Sequence, residues 1–207
     1  MSLGNRFFAA MSDRRSKATE EAGLGAHREA LLSQASGRVL EIGAGTGRNL
    51  PYYGESVELT LVEPSDPMAR RLERRLEEHP RPVTVVRAPA EALPFEDGRF
   101  DVVVSTLVLC AVSDQACALA EARRVLKPGG TLLFIEHLRS EEPKLARLQD
   151  RMNRLNRVVA RCDCNRATLD AIRAAGFTIE GVEHDELKKA PRFVRPLAVG
   201  TASPSGG

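Results

Sequence analysis

The ten residues from Arg38 to Gly47, Arg-Val-Leu-Glu-Ile-Gly-Ala-Gly-Thr-Gly, constrain this chain more than any other segment. Val39, Leu40 and Ile42 form a short apolar run of the kind that becomes a buried parallel strand. Gly43, Gly45 and Gly47 follow at alternate positions. Glycines at the carboxyl end of a strand let the backbone turn tightly and approach a ligand with no Cβ in the way. In an open α/β sheet that is where a nucleotide-like molecule binds. An ordinary glycine turn between strand and helix is the alternative that a lone Gly-x-Gly leaves standing.

Two carboxylates favour the ligand loop. Glu41 is embedded in the apolar strand, where an unpaired charge is costly. Glu63 ends the next apolar stretch, 57–62, sixteen residues after Gly47. That is close to the spacing at which an acidic residue receives ribose hydroxyls in dinucleotide folds. A dinucleotide loop would continue Gly-x-Gly-x-x-Gly to bring a pyrophosphate to a helix N-terminus, whereas position 48 is Arg. The order Glu-x-Gly-x-Gly-x-Gly instead resembles motif I of the class I S-adenosylmethionine (SAM) methyltransferases.

Composition narrows the partners. The chain has 207 residues, enough for one α/β domain with a substantial core. Its 30 basic and 28 acidic residues leave no electrostatic footprint for nucleic acid. The arginine clusters at 70–75 and 147–161 read as solvated helix faces. No membrane span or apolar signal segment is expected, and four cysteines without framework spacing point to a reduced, cytoplasmic protein. Cys162 and Cys164 have no partner pair and no histidine near them in sequence, so no metal site is expected. Cys110 and Cys117 read as small buried hydrophobes.

Strand-like and helix-like stretches alternate from residue 38 onward, which predicts a parallel sheet covered by helices. Residues 1–36 are expected to be a helical segment carrying Phe7, Phe8 and Met11 and interrupted at Gly23 and Gly25. It is either a mobile cap over the ligand cleft or a helix packed on the sheet. Residues 37–202 form the catalytic domain and 203–207 a disordered tail. Thr46 is the expected N-cap of a helix after the glycine loop. Further helices are expected at 66–79, with Asp66 as cap and Pro67 in the first turn, and at 113–127, 143–160 and 166–175. Strands are expected at 83–87, 102–104, 131–135, 177–183 and 192–201.

The motif-I residues, Leu93-Pro94-Phe95 before Phe100-Asp101, and Leu126-Lys127-Pro128-Gly129-Gly130 are similar to the type 11 group of SAM methyltransferases. Asp101 to Cys110, Glu136-His137, and Cys162 followed by Arg166-Ala167-Thr168 resemble a branch that includes mammalian membrane-anchored thiol S-methyltransferases. The resemblance implies a Rossmann-like, doubly wound, seven-stranded, mostly parallel sheet with flanking helices. It implies SAM as cofactor, S-adenosyl-L-homocysteine as its product, and a small-molecule methyl acceptor, in a monomer or homodimer. By resemblance, Gly43, Ala44, Gly45 and Gly47 hold the methionine portion, and Glu41 anchors that loop, by way of water to the ligand's amino group. Glu63 accepts from both ribose hydroxyls, Pro64 and Met68 flank the adenine, and Thr106 and Leu107 line the site near the sulfonium. Pro89 replaces an Asp that many relatives direct at the adenine amino group, which leaves Ala90 and Glu91 in that role. Met68 reads equally as plain core.

Methyl transfer from a sulfonium needs donor and acceptor held in line in a dry cleft, and a base only when the acceptor must lose a proton. His137, at the end of the fifth strand, is the candidate base; its other reading is a histidine that hydrogen-bonds a neighbouring loop. Acceptors in view are a thiol, a phenol or quinone, or a lipid amine. A SAM-binding protein without transferase activity is the competing class, and a dinucleotide oxidoreductase is disfavoured by Arg48.

Overall fold

A computed structural model of the chain describes residues 17–78 and 80–206. The expected Phe7, Phe8 and Met11 cluster lies outside the described residues. Seven strands form one sheet: β1 Arg38–Ile42, β2 Glu58–Val62, β3 Val83–Val86, β4 Phe100–Thr106, β5 Leu126–His137, β6 Phe177–Glu186 and β7 Pro196–Pro204. Their order is β3-β2-β1-β4-β5-β7-β6. The five N-terminal strands run parallel, and β7 is antiparallel to both neighbours. This is the Rossmann-like, doubly wound arrangement expected from the alternating pattern.

The central strands are apolar on both faces, as a sheet covered on both sides requires. Leu40, Ile42, Val103, Leu132 and Phe134 face one core, which α3 (Gln115–Val125) and α5 (Thr168–Ala174) cover with Ala118, Leu119, Ala122 and Ile172. Val39, Val104, Leu133 and Ile135 face the other, covered by Leu31 and Leu32 of α1 (Gly25–Leu32) and Leu72 of α2 (Asp66–Glu78). The strand order reverses at β1, which has β2 on one side and β4 on the other. That switch point opens a crevice at the carboxyl ends of the strands.

The described part of the N-terminal segment packs on the sheet. A π-helical turn, Glu20–Leu24, kinks at Gly23 (φ 142°) and passes into α1, whose Leu31 and Leu32 are buried. The Asp114 side chain caps α3 by accepting from the Cys117 backbone at 3.0 Å. Helix α4 (Pro143–Ala160) spans the expected 143–160, with proline in its first turn, where the missing N–H costs nothing.

Four expectations fail locally. No helix capped by Thr46 follows the glycine loop. Gly43, Gly45 and Gly47 all have positive φ, and the chain runs through turns (Gly47 N to Ala44 O, 2.9 Å) into a 3-10 turn, Leu50–Tyr52. β5 begins at Leu126 rather than 131, directly at the end of α3, pairing Leu126 with Phe100 before an irregularity restores register at Val102 and Thr131. The expected strand at 192–201 is instead a 3-10 turn, Arg192–Val194, followed by β7. Residues 203–205 do not form a disordered tail. β7 continues to Pro204, and Ser205 N donates to Gly176 O at 2.8 Å. Small polar residues suggested disorder, but pairing with β6 satisfies this backbone. No helix among the described residues is long and apolar enough to cross a membrane.

Candidate active site

The glycine loop sits at the mouth of the switch-point crevice. Ala44 N donates to Val62 O at 2.9 Å, which ties the loop to the end of β2. Val108, just past β4, packs so closely on Gly43 that a Cβ there would lie 2.6 Å from its Cγ2. Gly45 is different: a Cβ would meet nothing nearer than the Gly43 carbonyl oxygen at 3.9 Å. One glycine thus accommodates a neighbouring side chain, and the next leaves an open cradle against the cleft.

Glu63 stands beside that cradle, 6% exposed. Its Oε2 accepts from Gly45 N and its Oε1 from Ser65 N, each at 2.8 Å. Burial pushes its carboxyl above the usual range, and the two backbone N–H groups pull it back. A carboxylate has about four acceptor sites, so two remain for hydroxyl donors. The open glycine cradle thus has an acidic residue with remaining acceptor sites beside it.

Glu41 is held in a network of side chains. It is 3% exposed, and its oxygens accept from Tyr53 Oη and Asn49 Nδ2, both at 2.9 Å. Asn49 Nδ2 also donates to Thr106 Oγ1 at 3.1 Å. Arg28 of α1 donates to Asn49 Oδ1 and pairs with Glu20 at 3.1 Å. Both Glu41 oxygens accept inside the protein, which ties β1 to Asn49 and Tyr53 beyond the glycine loop. Sequence reading missed Arg28, Asn49 and Tyr53. The signal was the need of a buried Glu41 for partners, which says that partners exist without saying where they lie.

Gly43, Gly45, Met68, Thr106 and Leu107 are half-buried around the crevice. Leu107 adopts a left-handed conformation (φ 57°), and its N–H donates to Ile135 O at 2.8 Å. Met68 is outside both core clusters, so its plain-core reading fails. Pro64 is exposed and Ala90 is buried in the core. Glu91 does not face the cleft as a free acceptor: its Oε1 accepts from Ser113 N at 2.8 Å and Asp114 N at 3.3 Å, at the start of α3.

Past β4 the chain is held by Glu136, which is fully buried. Its Oε1 accepts from Ser105 Oγ (2.7 Å), Val108 N (2.9 Å) and Leu109 N (3.0 Å). His137, next along β5, is buried, with the backbone of Pro196 and Val194 near its ring. Burial pulls its imidazole down to about 4, so it is neutral at physiological pH and holds an added proton weakly. That environment speaks against the proton-acceptor role. Cys117 is exposed rather than buried, and Cys110 and Cys162 lie beside His137, contrary to the sequence reading that no histidine is near Cys162.

Glu41 and His137 give the protein opposed pH dependences. Burial raises the Glu41 carboxyl from 4.5 to about 7. The native state then holds a proton that the unfolded chain has lost, so this contribution to stability is full below pH 4.5 and disappears as pH rises through about 7. The lowered His137 imidazole acts in the other direction, its contribution being full above pH 6.5 and lost as pH falls through about 4. Wild-type stability should therefore change little between these limits through these two groups. In urea titrations Glu41→Gln should gain on wild type by about 3 kcal/mol between pH 5 and pH 8. An equal difference at both pH values would show that Glu41 titrates normally.

Comparisons with known proteins agree with this geometry. The methyltransferase-domain family model matches residues 40–134. The chain is 42% identical over 112 residues to human thiol S-methyltransferase TMT1B, covering 52% of this chain and 46% of that protein. It is 30% identical over 179 residues to human thiol S-methyltransferase TMT1A, covering 79% of this chain and 69% of that protein. The first of these matches spans about half the relative's length. The crystal structure of a Thermotoga maritima SAM-dependent methyltransferase, described as a possible histamine N-methyltransferase, superposes with a TM-score of 0.68 at 26% identity, over 95% of this chain and 94% of the other. A switch-point crevice with a glycine cradle and a buried acidic residue, carried on a sequence and a fold shared with these proteins, places the chain in the family of SAM-dependent methyltransferases.

Proposed function

We propose that this chain transfers the methyl group of SAM to a small, soft acceptor, with a thiol as first choice. The observation that carries the reading is Glu63 suspended between Gly45 N and Ser65 N at the edge of the open glycine cradle. Gly43, Ala44, Gly45 and Gly47 shape the pocket for the methionine portion. Glu63 takes the ribose hydroxyls, Pro64 and Met68 flank the adenine with Ala90 behind it, and Thr106 and Leu107 bound the reacting end. Bound SAM supplies a methyl carbon already activated by a positive sulfonium.

The protein's part is then to bind, to orient and to exclude water. The Glu41–Asn49–Thr106 chain holds the β1 and β4 ends at fixed separation, and Glu136 fixes the backbone from Ser105 to Leu109. The acceptor reading follows from His137. An imidazole held near 4 is a poor proton acceptor for a hydroxyl, whereas a thiolate needs no base. Similarity to two thiol S-methyltransferases supports the same choice.

The test is transfer of labelled methyl from SAM to an alkyl thiol, a phenol, an amine and a carboxylate. Transfer to the thiol is expected to rise with pH along the acceptor's own ionisation. Replacing the thiol by one about a pH unit more acidic should move the profile down by about one pH unit. Transfer confined to the amine, carboxylate or hydroxyl would overturn the thiol assignment. SAM binding without transfer to any acceptor would overturn the enzymatic reading.

A further inference from the structure

Cys110, His137 and Cys162 come from three separate segments: the loop after β4, the end of β5 and the link between α4 and α5. Their ligating atoms all lie within 4.8 Å of one another. The surrounding backbone is fixed. Asp163 N donates to Cys110 O at 2.8 Å, and Asn156 Nδ2 to Cys162 O at 2.7 Å. Arg166 joins the segments by donating to Leu109 O (2.8 Å), Val112 O (2.7 Å) and Asp163 Oδ2 (2.7 Å).

Among the described residues two buried side-chain atoms have no hydrogen-bond partner, and both are here: His137 Nδ1 and Glu136 Oε2. A buried imidazole nitrogen without a partner is costly unless something occupies it. Cys164 is spoken for differently, with its Sγ 3.7 Å from Asn153 Oδ1 and 3.9 Å from Gln149 O.

We propose that Cys110, His137 and Cys162 form a binding site for one thiophilic divalent cation of the zinc type. Two sulfurs and one imidazole nitrogen are a donor set that zinc prefers, and three protein ligands leave a fourth position. Tetrahedral zinc needs these atoms about 3.5–3.8 Å apart, so movements of roughly 1 Å complete the geometry. The hydrogen bond with Cys162, together with burial, holds the Cys110 thiol protonated, so binding must expel its proton. The site lies on the β4–β5 side of the crevice, two residues from the Val108 that packs on Gly43. It stands independently of the methyl-transfer reading.

The experiment uses the full chain, reduced and stripped with a chelator, titrated with Zn(II) and separately with Co(II). One equivalent of either ion should bind, and zinc binding should release about two protons, read by calorimetry in buffers of different ionisation enthalpy. Co(II) should develop the intense absorption of tetrahedral thiolate ligation. Cys110→Ser, Cys162→Ser and His137→Asn should each weaken binding by about tenfold or more, while Cys117→Ser should leave it unchanged. Folded wild type that takes up no zinc, or Co(II) spectra without thiolate bands, would overturn the proposal. So would unchanged affinity in a folded Cys110→Ser/Cys162→Ser double variant. None of these readouts depends on methyl transfer.

Discussion

Gly43→Ala should destabilise the protein and Gly45→Ala should chiefly weaken SAM binding, although the two glycines have nearly the same φ, 60° and 58°. Alanine at either position bears the left-handed conformation at about 1–2 kcal/mol. At Gly43 the new Cβ would also lie 2.6 and 2.8 Å from the two Val108 methyls. Overpacking of that kind adds about 1–3 kcal/mol. The sum corresponds to a melting temperature lowered by roughly 4–20 °C for a chain of this size. Gly45→Ala has room and should fall by only a few degrees, but its methyl occupies the cradle. SAM affinity should therefore drop by about tenfold or more, about 1.4 kcal/mol. Thermal melts and calorimetry of the two variants separate the effects. Equal melting temperatures would show that Val108 yields without cost. Wild-type SAM affinity in Gly45→Ala would place the cofactor elsewhere. Val108→Ala in the Gly43→Ala background should recover part of the loss, as coupled neighbours do.

Glu63→Ala should show the largest loss of cofactor affinity. The side chain has two duties under the proposed function: it accepts from Gly45 N and Ser65 N, and it is to take the ribose hydroxyls at its remaining acceptor sites. Removing it leaves donors unpaired at about 1–3 kcal/mol in this partly buried place. SAM binding should weaken by roughly ten- to a hundredfold from the lost hydroxyl contacts, with a further loss as the glycine loop relaxes. Glu63→Gln keeps one acceptor oxygen and should fall between. Calorimetry with SAM, S-adenosylhomocysteine and NAD decides the matter. An unchanged dissociation constant in folded Glu63→Ala would remove the ribose role. Tighter binding of NAD than of SAM in the wild type would overturn the donor class.

The legible parts of the site were those in which a single residue type answers a local requirement. Positive φ at three alternating positions calls for glycine, so the loop after β1 could be located from sequence. Glu63 was legible because it ends an apolar strand at a characteristic distance from that loop. The illegible parts were partnerships. Buried Glu41 announced that it needed donors, but Tyr53, Asn49 and, through Asn49, Arg28 could be found only by folding α1 and the 3-10 turn against β1. Glu91 stood in the right loop for adenine, and only the approach of the α3 N-terminus shows its carboxylate accepting from Ser113 and Asp114. His137 lay at the right strand end for a base, and its burial against β7 removed the proton affinity that the role requires.

The sequence by itself determined the strand and helix alternation, the crevice loop and the class of donor. These depend on backbone conformation and on apolar periodicity, which act over a few residues. Tertiary structure alone decided the antiparallel course of β7 and the order of residues 203–205. It also decided the network around Glu41 and the meeting of Cys110, His137 and Cys162. Those features depend on contacts between residues far apart in the chain. The free energy of such contacts comes from burial and from satisfied polar groups, which exist only once the segments are packed together.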